Sequence, residues 1–344
     1  MIKYIEIEGY KSIQHMQLEL KPINVLIGSN GAGKSNFVSF FKMLDAIYNQ
    51  NLRQFVVREK ADNILHFGRE YTEYMFGKMI FVNDDNSPNN AFWFALKQDN
   101  VGGLYIDQEA YGYDVSRKDN YNNYFTSQHL TESAISTMSG FRYTYINRYL
   151  NEIQVYHFHD TSSTSKLRRA CDINDNHFLK SDGRNLPAFL YYLQVRHPKL
   201  FKRIVKTIQS IAPYIDKFIL EPNRLNPHDI ELRWKEKSDA NSNFGAYQFS
   251  DGTLRFIALA TVLMQPEPPS VIVIDEPELG LHPKAITKLA ALIKMASKKT
   301  QLIISTQSVN LVDSFESEDI VTVDRNKEKN QSVFNRLNAQ KLEE

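Results

Sequence analysis

The sequence predicts an α/β protein with a mixed core sheet, antiparallel strands at its N-terminal end and an inserted lobe of β-strands and helices. Three stretches predict it. Gly28-Ser29-Asn30-Gly31-Ala32-Gly33-Lys34-Ser35 stands between the apolar run Ile23-Asn24-Val25-Leu26-Ile27 and residues 36–44, which are apolar at helical spacing. That order is the strand, glycine loop and helix of a phosphate-binding unit. Val271-Ile272-Val273-Ile274 runs into Asp275 and Glu276, as a fully buried parallel strand does when it delivers acids at its C-terminal end. Gln301-Leu302-Ile303-Ile304 is another buried strand, ending in Ser305-Thr306-Gln307.

Taken in order, residues 1–8 alternate apolar and polar, which reads as a half-buried strand and not as a secretion signal. Gly9-Tyr10-Lys11-Ser12 turns the chain and Met16-Gln17-Leu18-Glu19-Leu20 alternates again, so a hairpin leads into the phosphate-loop strand. Residues 45–70 are helical but mixed. Residues 71–114 are aromatic and β-rich, broken by the turn-forming Asn83-Asp84-Asp85-Asn86-Ser87-Pro88-Asn89-Asn90, and read as antiparallel strands. Their tyrosines read as sheet packing with a wet hydroxyl more than as base-stacking platforms. Residues 119–123 read as an exposed loop, 131–152 as a helix and 155–160 as a strand. Asn185 caps a helix with Pro187 in its first turn, and Leu200, Ile204, Ile208 and Ile211 lie on a second helix that ends at Pro213. An apolar helix opens at Ser250 and runs to Met264, and Pro283 opens the next. The expected division is 1–70 and 241–344 as the two parts of the core and 71–240 as the inserted lobe.

The 344 residues can bury a large core. Lys plus Arg (41) nearly balances Asp plus Glu (40), so no global basic field points to nucleic acid and any such contact must be local. A single cysteine, Cys171, excludes an internal disulfide, suits a reducing cytoplasm and reads as inert packing. No apolar run approaches the roughly 20 residues of a membrane span.

The chemistry gathers at the two strongest motifs. Glycines let successive N–H groups converge on phosphate oxygens, and the helix that follows turns its positive end to the same anion. The candidate nucleotide-binding residues are Gly28, Ser29, Asn30, Gly31, Ala32, Gly33, Lys34, Ser35 and Asn36. Lys34 reaches the β- and γ-phosphates, and Ser35 ligates Mg²⁺. Asp275 suits a second metal contact, and Glu276, free of the metal, suits the general base that polarises the attacking water.

Phe249-Ser250-Asp251-Gly252-Thr253-Leu254-Arg255-Phe256 resembles the signature motif of ABC-type ATPases. With Ile5-Glu6-Ile7-Glu8-Gly9-Tyr10-Lys11-Ser12, the phosphate loop, Asp275-Glu276-Pro277-Glu278-Leu279-Gly280-Leu281-His282-Pro283 and Ser305-Thr306-Gln307-Ser308, nearly the whole chain resembles the SMC/RecF branch. It is similar to the compact stand-alone AAA/ABC ATPases of bacterial anti-phage cassettes. The resemblance implies an ABC-ATPase head (a P-loop NTPase) that closes as an ATP-dependent homodimer over two ATP molecules and their Mg²⁺. Ser250 and the amide of Gly252 then touch the γ-phosphate held by the other copy. Asp251 stands where the transporter motif has glycine and is expected to face away or cap the helix. The segment from Leu279 to Pro283 matches a dimer-contacting loop, where His282 reaches across or caps the next helix. Gln307 stands where many relatives place a γ-phosphate-sensing histidine. An amide donates but carries no charge, so slow or partner-dependent hydrolysis is expected. The Q-loop glutamine belongs near 62–75, where none stands and His66 or Arg69 takes its neighbourhood.

Weaker constellations remain. His157, His159 and Asp160 invite a metal reading, with both histidines on one strand face, although no further ligand cluster completes the shell. Lys166-Leu167-Arg168-Arg169 and the trio Lys202, Arg203 and Lys206 are local basic patches for DNA contact. The expected function is an ATP-driven conformational switch in DNA-related or anti-phage defence complexes. One alternative is a nucleotide-gated scaffold that restrains an effector protein. Another is a metal-dependent nuclease built on residues 157–160, although the residues after Gln307 leave no room for the acidic catalytic domain of nuclease relatives.

Overall fold

The computed structural model describes residues 1–82, 89–117, 120–138, 141–326 and 328–337. The first part of the chain forms β1 (Ile2–Tyr10), β2 (Ile13–Glu19), β3 (Ile23–Ile27), α1 (Lys34–Tyr48), α2 (Leu52–Glu59) and α3 (Ala61–Ile64). There follow β4 (Tyr74–Phe81), β5 (Asn90–Gln98), β6 (Leu104–Arg117), β7 (Asn120–Leu130), α4 (Phe141–Asn151), β8 (Ile153–Tyr156) and β9 (Cys171–Asp172). The middle holds α5 (Leu186–Arg196), α6 (Pro198–Gln209), β10 (Ile215–Ile219), β11 (Asp229–Ile230), β12 (Arg233–Glu236) and β13 (Asp239–Gly245). The last part is α7 (Asp251–Met264), β14 (Val271–Asp275), α8 (Pro283–Ala296), β15 (Gln301–Thr306), α9 (Val309–Val312), β16 (Ile320–Asn326) and β17 (Gln331–Arg336).

Two six-stranded sheets organise the molecule. One is antiparallel, in the order β2-β1-β4-β5-β6-β7; the other runs β17-β16-β3-β15-β14-β8. In the second, β8, β14, β15, β3 and β16 are parallel, and β17 closes the edge as an antiparallel hairpin partner. Helix α1 lies between the sheets because its apolar residues surround it. Phe37, Phe40, Phe41, Met43, Leu44 and Ile47 are all buried. They share one cluster with Ile5 and Ile7 of β1, Met79 of β4, Phe94 of β5, and Val273 and Ile303 of the core sheet. The alternate residues of the same core strands, Ile272, Ile274, Leu302 and Ile304, pack instead with α5, α7 and α8. Both faces of β14 and β15 are therefore covered, which is why their sequences are apolar without alternation.

The observed layout differs from the expected division at two places. Strands β4 to β7 form no lobe of their own but extend the β1–β2 hairpin, since β4 pairs along β1 from Ile2↔Phe81 to Glu8↔Phe76. Strand β8, inside the expected insertion, is the edge of the core sheet beside β14. Residues 120–123 begin β7 and are not a loop. The expected helix over 131–152 is a short 3-10 turn (Ile135–Thr137) followed by α4. Asn185 stands at the N-cap of α5, but its side chain serves the preceding loop: it accepts from Lys180 N at 2.9 Å and donates to Phe178 O at 2.8 Å. Most of the expected turn at 83–90 lies outside the described residues.

Candidate nucleotide site

The candidate site lies where four parallel strands end together. Ile27 pairs with Thr306, Asp275 with Ser305, and Ile274 with Tyr156. The residues that follow, Gly28, Gln307, Glu276 and His157, thus emerge side by side at the carboxyl edge of the sheet, the customary ligand edge of α/β proteins.

The phosphate loop needs its glycines for space and for backbone angle. A Cβ on Gly28 would sit 2.0 Å from the Val323 carbonyl oxygen of β16, and one on Gly33 would sit 2.1 Å from Ser332 Oγ. Gly33 also has φ 118°, where side chains are strained. Gly33 caps α1 with no side-chain bond to the first turn, leaving that turn's N–H groups to an anion. Ser29, Asn30, Gly31 and Ser35 are exposed, while Ala32 is buried. Asn36 is turned away from the loop and donates to Ser12 Oγ at 2.7 Å. Ser12 Oγ and Ser332 Oγ are hydrogen-bonded at 2.7 Å, with Ser12 donating, since the Ser332 hydroxyl gives its one proton to Ala32 O at 2.5 Å. The β1–β2 turn and β17 thus buttress the loop.

Lys34 is buried, and its Nζ donates to the carbonyls of Gly28 at 2.6 Å and Ser29 at 3.1 Å. Burial pushes its ammonium below the ordinary lysine value, and the carboxylates of Glu276, Asp275 and Glu278 push it back up. The phosphate loop and the acidic strand end are therefore within electrostatic reach of each other. Asp275 Oδ1 accepts from Ser305 Oγ, and the Glu276 carboxylate accepts from Gln307 Nε2. Glu276 has φ 42°, a strained backbone of the kind that gathers at functional sites. Glu278, to which the sequence reading assigned no role, accepts from Thr306 Oγ1 at 2.5 Å and from Gln307 N at 3.0 Å, clamping the end of β15.

Ser250 and Gly252 belong to a second group on the first turn of α7. Ser250 is the exposed N-cap: its Oγ accepts from Thr253 N at 3.2 Å and donates to Thr253 Oγ1 at 2.9 Å. A Cβ on Gly252 would stand 2.5 Å from Gly280 O, so α7 begins against the turn that follows Glu276. Asp251 faces away, onto Arg168 at 2.7 Å. His282 caps α8, its Nδ1 accepting from Lys284 N at 3.3 Å.

Residues 23–313 match the family described as "AAA domain, putative AbiEii toxin, Type IV TA system". The chain belongs to this AAA-domain family. No curated protein matches it. Its fold is that of an SMC head. An SMC head bound to the C-winged helix domain of ScpA has 16% identity and a TM-score of 0.66, with 99% of each chain covered. An Smc head with an extended coiled coil, bound to the C-terminal domain of ScpA from Pyrococcus furiosus, has 16% identity and a TM-score of 0.62, covering 99% of this chain and 97% of that one. The family match is thus to an AAA domain, and the fold is shared with SMC heads.

Several expectations for this AAA-domain protein are corrected by the structure. β8 ends at Tyr156, so His157 and His159 lie beyond the strand and share no strand face. His159 Nε2 instead meets Asp275 O at 2.9 Å, and Asp160 accepts from Ser162 Oγ at 2.6 Å. Among the described residues the His, Cys, Asp and Glu atoms close enough to share an ion are those of Glu6, Glu8 and His15, an open set on β1 and β2. His66 does not reach the site: its Nδ1 contacts Lys11 O at 2.7 Å, and Arg69 pairs with Asp62 at 2.8 Å. Of the histidines after β8, His159 holds the strand end at Asp275. Arg168, expected in a DNA patch, is 7% exposed and donates to the carbonyls of Thr161, Ala246 and Phe249. Lys202, Arg203 and Lys206 are exposed on α6. No helix among the described residues is long and apolar enough to cross a membrane.

Proposed function

We propose that this protein binds ATP at residues 28–35 and hydrolyses it as an ATP-dependent homodimer in which Ser250 of each copy completes the other copy's site. The observation that carries the reading is the emergence of Gly28, Gln307 and Glu276 from adjacent strands, with Lys34 in the field of three carboxylates. The N–H groups of the loop and of the first turn of α1 hold the phosphates. Lys34 exchanges the carbonyls of Gly28 and Ser29 for the β- and γ-phosphates. The Ser35 hydroxyl and the Asp275 carboxylate are hard oxygen donors of the type Mg²⁺ takes. Such an ion, when bound, neutralises charge on the phosphates. Glu276 orients a water whose oxygen attacks the γ-phosphorus and accepts its proton as the bond to ADP breaks.

The bond from Gln307 holds the Glu276 carboxylate, which favours slow turnover. That observation also supports a second reading, a nucleotide-gated scaffold that holds an effector protein in a cytoplasmic anti-phage or DNA-related complex. The ScpA domain on the SMC heads is an example of a protein partner on this fold, and the exposed cations of α6 offer a contact for DNA. Phosphate release with and without duplex DNA tests the proposal. Slow release by the wild type, abolished in Lys34→Ala and Glu276→Gln, supports it. Equal release by Lys34→Ala and the wild type contradicts it.

A further inference from the structure

Arg255, in the second turn of α7, is 4% exposed. Its Nε donates to Phe158 O at 2.8 Å and its Nη2 to His159 O at 2.9 Å. Its Nη1 lies 3.2 Å from where a Cβ on Gly280 would stand. From the helix that begins at Ser250, the guanidinium thus bonds the loop after β8 and lies close to the turn after Glu276. Each leads onward to the candidate site. His159 meets Asp275 O through its ring, and Gly280 O lies against Gly252.

Keeping a charge here is costly. Burial lowers the guanidinium's pKa from its ordinary value, and Asp251 and Glu278 offset this only in part. The neighbours of Arg255 along α7 are buried and apolar, among them Leu254, Phe256, Ile257 and Leu259, so an apolar side chain would suit the packing. What an apolar chain lacks is the planar fork of donors that holds two main-chain carbonyls while lying beside the Gly280 turn.

We propose that Arg255 is a positioning residue that ties together the two half-sites carried by one subunit. It locks the first turn of α7, which serves the partner copy's nucleotide, to the Asp275–Glu276 strand end, which serves its own. A shift of the His159 loop on nucleotide binding is thereby passed to Ser250. The proposal rests on the two-copy site described above.

The test compares the full-length wild type with Arg255→Lys and Arg255→Met by steady-state ATP turnover and by hydrogen exchange without nucleotide. In Arg255→Met, kcat falls about tenfold or more while KM stays within about twofold, because positioning and not ground-state binding is lost. Arg255→Lys, which can still donate to one carbonyl, recovers part of the loss. Without nucleotide, amides at 157–161 and 279–282 exchange faster in Arg255→Met, while α7 beyond its first turn stays protected. Turnover equal to wild type in Arg255→Met overturns the proposal, as does a loss that comes with deprotection of all of α7 and is not relieved in Arg255→Lys. Loosening of the two loops in a protein whose wild type splits no ATP supports the linkage but overturns the nucleotide reading, so the two failures are distinguishable.

Discussion

The side-chain amide of Gln307 donates to the carboxylate of Glu276, joining the ends of β15 and β14 above the phosphate loop. An amide can hold the carboxylate but brings no positive charge to a γ-phosphate in transit. In Gln307→His we expect the steady-state rate to rise, roughly severalfold, with KM little changed. A rate no higher than wild type contradicts this account of slow turnover.

Ser250 is exposed at the N-cap of α7, free to meet a second molecule. Ser250→Arg is expected to keep ATP binding, because the loop at 28–35 is untouched, and to lose turnover. Mixing it with Lys34→Ala should restore part of the activity, since mixed dimers hold one intact composite site. Two inactive variants that stay inactive on mixing contradict a site shared between copies.

Arg168 is a structural cation whose bonds gather residues 161, 246, 249 and 251 around the start of α7. Arg168→Met leaves these acceptors unpaired and should lower stability by about 2–4 kcal/mol, read by denaturant unfolding. Duplex binding, if measured at equal folded fraction, should be unaltered. By contrast, the charge-reversed pair Lys202→Glu and Lys206→Glu on α6 should leave stability within about 0.5 kcal/mol of wild type.

The differing fates of these residues show what was legible in the sequence. The loop from Gly28 to Ser35 and the acids at Asp275 and Glu276 are each contiguous in sequence and lie at the ends of β3 and β14. Their type and spacing can be read without a structure. What could not be read are the long-range partners. Arg168 meets Asp251 83 positions away, and Ser12 meets Ser332 320 positions away. No local pattern encodes such pairings. The same limit hid the place of β8. Its four residues look like any short strand, and only its pairing with β14 puts His157 and His159 beside Asp275. The expected lobe dissolved for a related reason, since alternation marks a strand but does not name the edge on which it pairs.

His157 gives a pH dependence of known sign. Burial, assisted by the nearby Lys42 cation, pushes its imidazole down from 6.5 to about 4. The unfolded chain therefore takes up a proton near 6.5 that the folded chain resists until near 4. Stability is unaffected by this residue above that window and falls as pH drops through it. Between pH 7 and pH 5 the wild type should lose about 1–2 kcal/mol more than His157→Gln, whose amide does not titrate. Parallel pH profiles of the thermal midpoint in the two proteins contradict the assignment.

The most direct measurement is the molar mass of Glu276→Gln by light scattering, with and without ATP and Mg²⁺. This variant keeps the phosphate loop and Ser250 but lacks the base, so bound ATP persists. The account predicts a monomer without nucleotide and twice that mass with it, reversed by adding Lys34→Ala to the same chain. A mass unchanged by ATP, in protein shown to bind it, would contradict closure of two copies over the nucleotide.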